Sequence, residues 1–112
     1  MTSRGLALQA IKIAEDKKAK NVVSLNLEGI TAMTDYFLIF SGDSSVHMKA
    51  IANELKKEMV GGGVTLLNTS NFLNNRWILL DFGSVVVHIF SEEARQFYQL
   101  EKLWADAVKE KF

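Results

Sequence analysis

A chain of 112 residues, 48% hydrophobic and 23% charged, is long enough to bury one core and too apolar to stay disordered. It has no cysteine, which excludes a disulfide framework and a thiolate metal site and fits a reducing compartment. Thirteen basic residues balance thirteen acidic ones, so no basic excess marks bare DNA or RNA as the main partner, and no apolar run reaches the roughly 18 residues that span a membrane. These values predict a single domain over residues 1–112. The first residues lack the apolar centre of a signal peptide, and a cytoplasmic location is expected.

Ser3 is the expected cap of a first helix from about Leu6 to Lys17, with Leu6, Ala10, Ile13 and Ala14 facing a core. Lys17, Lys18 and Lys20 read as solvated charge near its C-terminal end. Val22 to Leu27 alternates apolar and polar residues, the pattern of a half-buried strand, and Gly29 ends it. Asp35 is expected to cap or tie the loop from Gly29 to Thr34, with contact to a partner as the alternative role. Tyr36 to Phe40 is a continuous apolar run, which suits an interior strand covered on both faces.

Ser41-Gly42-Asp43-Ser44-Ser45 is a turn that opens a helix, with Ser44 or Ser45 as N-cap. Met48, Ile51, Ala52, Leu55 and Met59 form the buried stripe of that helix, and Gly61-Gly62-Gly63 stops it. Val64 to Leu67 is predicted as a short strand. Asn68 to Asn75 is predicted as a polar loop, interrupted by Phe72 and Leu73.

Two β-branched and aromatic runs flank Gly83-Ser84, which suits a hairpin closed by a type II′ turn. That turn sets the register: Trp77 faces Phe90, Ile78 faces Ile89, Leu79 faces His88, Leu80 faces Val87, Asp81 faces Val86, and Phe82 faces Val85. Cross-strand partners share a face. Ile78, Leu80, Phe82, Val85, Val87 and Ile89 therefore make one apolar face, predicted as core. Trp77, Leu79, Asp81, Val86, His88 and Phe90 make the other. It is apolar but carries an acid and an imidazole, so it is expected to stay partly open.

Ser91 is the expected cap of a last helix, with Glu92 and Glu93 in its first turn as the helix dipole favours. Phe97, Leu100, Leu103, Trp104 and Ala107 lie along its apolar side, while Asp106 and the Lys109-Glu110-Lys111 tail read as solvated. The order α-β-β-α-β-β-β-α predicts an α+β fold in which a mixed sheet is flanked by helices.

Chemistry is sparse. The Gly61 to Gly63 run follows a helix and lacks the Gly-Lys-Ser/Thr ending of a phosphate loop. The Ser41 to Ser45 turn follows a strand and opens a helix, so its amides could hold an anion. It is similar to the Gly-Ser turn of nucleotidyltransferases, but the Asp-x-Asp or Asp-x-Glu pair that would hold Mg²⁺ occurs nowhere. Asp81 and His88 are diagonal neighbours, roughly 7–8 Å apart at Cα. They could serve as base and orienting group or as two metal ligands. A catalytic metal takes about three protein ligands, and His47 belongs to another helix. No metal, no cofactor and no catalytic residue are therefore expected. A nucleotide-binding enzyme that uses the Ser41 to Ser45 turn remains the alternative.

Four segments carry a resemblance. Asp35-Tyr36-Phe37, Ser41-Gly42, the hairpin from Trp77 to Phe90, and Glu93 to Trp104 resemble the Iojap family, the bacterial and organellar ribosomal silencing factors. The resemblance implies a nucleotidyltransferase-like topology without the catalytic acids. It implies a protein that binds the large ribosomal subunit through its ribosomal protein fourteen, blocks joining of the small subunit and represses translation when nutrients fall. Family members often crystallise as homodimers, so a homodimer is also expected. Departures from the family pattern occur at Asp43, Val46 and Ser70-Asn71, where Thr, Arg and Glu-Gly are common. The expected contact residues are Trp77, Leu79, Asp81, Val86, His88 and Phe90, extended by Met33 and Tyr36. Of these, Trp77, Leu79, Val86 and Phe90 would offer on the order of 300–500 Å² of contiguous apolar surface, enough to imply interaction, unless the last helix covers it.

Overall fold

The most apolar stretches of the chain meet at the centre of one sheet. The computed structural model describes residues 2–104 and 107–110. Within it, β1 (Lys20–Asn26), β2 (Tyr36–Gly42), β3 (Asn68–Phe72), β4 (Trp77–Asp81), β5 (Val85–Ser91) and β6 (Val108–Lys109) form a sheet in the order β3-β4-β5-β2-β1-β6. The central β2–β5 pair is parallel, from Tyr36 opposite Val85 to Gly42 opposite Ser91, and the other pairs are antiparallel. This is the mixed sheet that the element order predicts.

Helices α1 (Ser3–Asp16) and α2 (Ser45–Gly61) cover one face of the sheet. Ala7, Ala10, Ile11 and Ala14 of α1 and Met48, Ile51, Ala52, Leu55 and Met59 of α2 are buried with Leu38, Phe40, Leu80, Val87 and Ile89. The alanines have little side-chain bulk, so the two helices approach each other and the sheet closely. The first cap is Thr2, not Ser3: the Thr2 hydroxyl accepts from the Gly5 N–H at 3.0 Å. Ser3 lies inside the helix and donates to the Asp35 carboxylate. Ser44 caps α2, accepting from the His47 N–H at 3.1 Å. The glycine run does stop α2, and Gly63 takes the left-handed conformation, φ +96°.

Gly42 is required by packing. A Cβ there would stand 2.6 Å from Cγ of buried Met48 and 3.3 Å from its backbone nitrogen. Gly42→Ala should therefore destabilise the fold by about 1–3 kcal/mol, the usual cost of overpacking. A urea titration measures this, and an unchanged midpoint would mean that α2 can shift at no cost.

The hairpin has the expected register at all five ladder pairs from Trp77–Phe90 to Asp81–Val86. The Phe82 N–H donates to the Val85 carbonyl at 2.9 Å, and Gly83 has φ +87°. Its first face is core, with Ile78, Leu80, Phe82, Val85, Val87 and Ile89 all buried.

Three further expectations fail. The strand lies at Asn68–Phe72, not at Val64–Leu67, because pairing with β4 outweighs the polar composition of that stretch. The last helix is broken. It runs as α3 (Glu92–Tyr98), turns at Gln99 in the left-handed region (φ +45°), and resumes as the short α4 (Leu100–Leu103). The break leaves Phe97 80% exposed, off the apolar side it was expected to join. The tail is also not free charge throughout. Val108 and Lys109 pair with β1, and Glu110 accepts from Asn26 at 2.7 Å and from Tyr36 at 2.9 Å. Asp106, the side chain of Leu103 and Lys111 lie outside the described residues.

Candidate functional site

The second face of the hairpin is half covered. Alternation along β4 and β5 puts Trp77, Leu79, Asp81, Val86, His88 and Phe90 on it, and pairing with β3 adds Asn68, Ser70 and Phe72. On the β2 side the chain returns after Gln99, and Trp104 packs edge-on against Phe37 with ring centroids 5.7 Å apart. Phe90 and His88 are buried beneath this cover, at 1% and 4% exposure. On the β3 and β4 side Trp77, Leu79, Asp81 and Val86 are half-buried, and Phe72 is exposed.

Trp77 is the hub of the open half. Its ring stacks on Phe90 at 5.0 Å and meets Phe72 at 5.1 Å and Tyr98 at 5.5 Å. Its indole N–H donates to His88 Nδ1 at 3.1 Å. An imidazole that accepts at Nδ1 while neutral carries its proton on Nε2. That Nε2 is buried with no hydrogen-bond partner among the described residues. Burial pushes the His88 pKa down to about 4, because a buried cation would lose its hydration with no carboxylate to replace it. His88 thus supports Trp77 from beneath, and it is not placed to touch a partner directly.

Asp81 is engaged locally. Its carboxylate accepts from the Gly83 N–H at 2.8 Å and so ties the hairpin turn. Asp81 and His88 therefore spend their hydrogen bonds on different groups and do not form a base–orienter pair. Tyr36 is corrected more fully. It is 1% exposed and lies on the opposite, helix-covered face, so it cannot extend the patch. Its pKa is pushed up to about 12 by burial and by the Glu110 carboxylate, which accepts from its hydroxyl. Met33 is 84% exposed in the loop between β1 and β2. The end of that loop is held to the hairpin tip, where the N–H groups of Asp35 and Tyr36 both donate to the Ser84 carbonyl at 3.0 Å.

Sequence reasoning missed part of the rim. Leu73, Phe97 and Tyr98 are exposed around the end of β4, and with Arg76, Glu93 and Ala94 they line a cavity of about 350 Å³. Leu73, Asn74 and Asn75 all have positive φ, between 54° and 68°. Asparagine tolerates this conformation. A leucine there is strained. The interruption of a polar stretch by Phe72 and Leu73 was the available signal.

The Ser41 to Ser45 turn is occupied by its own side chains. The Asp43 N–H donates to His47 Nδ1 at 2.9 Å, and the His47 N–H is taken by the Ser44 cap. His47 Nε2 donates to the Lys17 carbonyl at 2.7 Å, Lys20 pairs with Asp43 at 2.9 Å, and Arg95 fills the space beside Ser41. Amides used in this way do not cradle a phosphate. Among the described residues no three His, Asp or Glu gather as a metal site.

The whole chain, residues 1–112, matches the family model described as ribosomal silencing factor during starvation. It is 43% identical to the ribosomal silencing factor RsfS of Halalkalibacterium halodurans over 107 residues, 96% of this chain and 92% of that protein. It is 39% identical to RsfS of Bacillus subtilis over 96% of this chain and 91% of that one. A crystal structure of a Chromobacterium violaceum protein superposes with a TM-score of 0.90 at 29% identity, covering 100% of this chain and 92% of that one.

Proposed function

This chain belongs to the ribosomal silencing factor family, and from that membership we propose that it is a non-enzymatic steric blocker of ribosome assembly in the cytoplasm. It docks on the large ribosomal subunit through ribosomal protein fourteen, keeps the small subunit from joining, and so lowers translation when nutrients fall. The observation that carries the docking reading is the half-open aromatic face centred on Trp77. Exposed aromatic clusters with a tryptophan at their centre are the usual anchors of protein interfaces. The proposed contacts are Trp77, Leu79, Asp81 and Val86, with Phe72 and Tyr98 at the rim and Met33 beyond the hairpin tip. His88 and Phe90 hold the Trp77 ring in place from below.

Co-sedimentation with purified large subunits tests this. Trp77→Ala should weaken binding by about thirtyfold, the effect of a hot spot near 2 kcal/mol. Phe72→Ala, at an exposed site, should weaken it by a smaller factor with little effect on folding. Undiminished binding by a Trp77→Ala protein that still melts cooperatively would remove this face from the interface. A second copy of the chain is the competing occupant. Light scattering on dilution would reveal a dimer that buries the same face.

A further inference from the structure

Behind the docking face, on the other side of strand β3, lies a trough of about 340 Å³ between α2 and the sheet edge. Lys49, Asn53 and Lys56 line it from α2. They are spaced i, i+4, i+7 and so share one side of the helix. Thr69, Ser70 and Asn71 line it from β3, the edge strand. No carboxylate lines the trough. Lys17 is paired with Glu54 and Lys20 with Asp43, but neither Lys49 nor Lys56 makes an ion pair among the described residues. A chain with no net charge thus keeps two uncompensated cations beside a row of hydroxyl and amide groups.

We infer that this trough is a contact for the RNA backbone: Lys49 and Lys56 meet phosphates, while Asn53, Thr69 and Asn71 hydrogen-bond phosphate or ribose oxygens. Lysine and small polar side chains are the set that grips nucleic-acid backbones without reading sequence. The two lysines are two helical turns apart, about 10 Å along the axis, which suits successive phosphates of a strand better than one free anion. Position supports the same partner. β3 carries Thr69 and Asn71 toward the trough and Ser70 and Phe72 toward the docking face, so one strand borders both surfaces. The inference rests on the large-subunit reading above: a protein docked on a ribosomal protein meets RNA at its flank, and the protein contact supplies specificity while the trough adds a salt-sensitive second grip.

The test uses the full chain, titrated against purified large subunits and, separately, against a short fluorescein-labelled duplex RNA, over a range of KCl concentrations. The variants are Lys49→Glu/Lys56→Glu, Lys49→Ala/Lys56→Ala and Trp77→Ala. Lys49 is exposed and Lys56 half-buried, so the variants should melt like the parent. The charge reversal should weaken subunit binding about tenfold at low salt and reduce the slope of log affinity against log salt by about 2. It should also abolish the weak binding of the RNA duplex, and the alanine pair should fall between. Trp77→Ala should weaken subunit binding at every salt concentration with the slope unchanged. Unaltered affinity and slope in both lysine variants would overturn the inference. So would a loss of subunit binding with no parent affinity for the duplex, which would assign the trough to an acidic protein surface. If the parent fails to bind subunits at all, the docking proposal fails, and the duplex titration still judges the trough.

Discussion

Between pH 6.5 and pH 4.5 the protein should lose stability by about 1.4 kcal/mol per pH unit at the steepest, and His88 should be the main cause. The sign follows from its burial. In the folded chain the ring stays neutral down to about pH 4, whereas the unfolded chain takes up a proton near pH 6.5. The unfolded state therefore binds more protons in this window, and stability rises with pH. The contribution is fully present above pH 6.5, falls as the pH drops toward 4, and is then flat. Moving the midpoint from 6.5 to about 4 corresponds to about 3 kcal/mol at 1.36 kcal/mol per pH unit. Glu110 acts lower down. Its carboxylate is held below its usual value of 4.5 first by the Asn26 hydrogen bond, so its contribution is lost only as pH falls below about that value. Urea titrations at several pH values measure the slope. His88→Gln keeps an acceptor for the Trp77 indole and removes the titration, so its slope above pH 4.5 should be nearly flat. An equal slope in parent and variant would show that the imidazole is hydrated and that the face above it is open.

Arg95→Ala should have an effect of similar size at all pH values. Arg95 is 9% exposed and joins three elements. Its Nη1 donates at 2.9 Å to Ser41 at the end of β2, and its Nε reaches Glu101 of α4 at 3.4 Å. Truncation would leave the Ser41 hydroxyl, at 0% exposure, without a donor, a penalty of roughly 1–3 kcal/mol. It would also remove the packing of the arginine stem, for a total of about 3 kcal/mol. Ser41→Ala alone should cost less, because the guanidinium keeps Glu101. A double-mutant cycle between the two sites should give a coupling of about 1.5–3 kcal/mol, the range for a charged hydrogen bond. Additive effects would mean that Arg95 acts by packing alone.

What was legible in the sequence was local. Gly83-Ser84 sets a two-residue turn, and that spacing determines which side chains share a face, so the hairpin register needed no knowledge of the rest of the fold. The Ser91 cap was readable for the same reason, and the α2 cap was narrowed to Ser44 or Ser45, of which Ser44 serves. The unreadable parts depend on partners distant in sequence. Tyr36 to Phe40 is apolar throughout, so composition does not reveal which residues face the helices; the pairing of Tyr36 with Val85 decides it and buries the tyrosine. Asn68 to Phe72 becomes a strand because β4 offers it hydrogen bonds, against the weak strand preference of asparagine. Gln99 breaks the last helix with a residue that carries no breaking signal. That break decides how much of the Trp77 face stays open, which no count of apolar positions could supply.

The parallel pairing of β2 with β5 also constrains how the chain acquires its structure. The strands that close the centre of the sheet are far apart along the chain, with Tyr36 beside Val85. Closing so long a loop carries an entropic cost before any contact repays it, which slows folding of such topologies. During synthesis the first half of the chain lacks the strand that completes its core, and its β2 edge stays unpaired until β5 has emerged. Folding of the central sheet is then committed only once β5 is available. The interval in which the apolar β2 is exposed is when aggregation is most probable and when a chaperone would matter most.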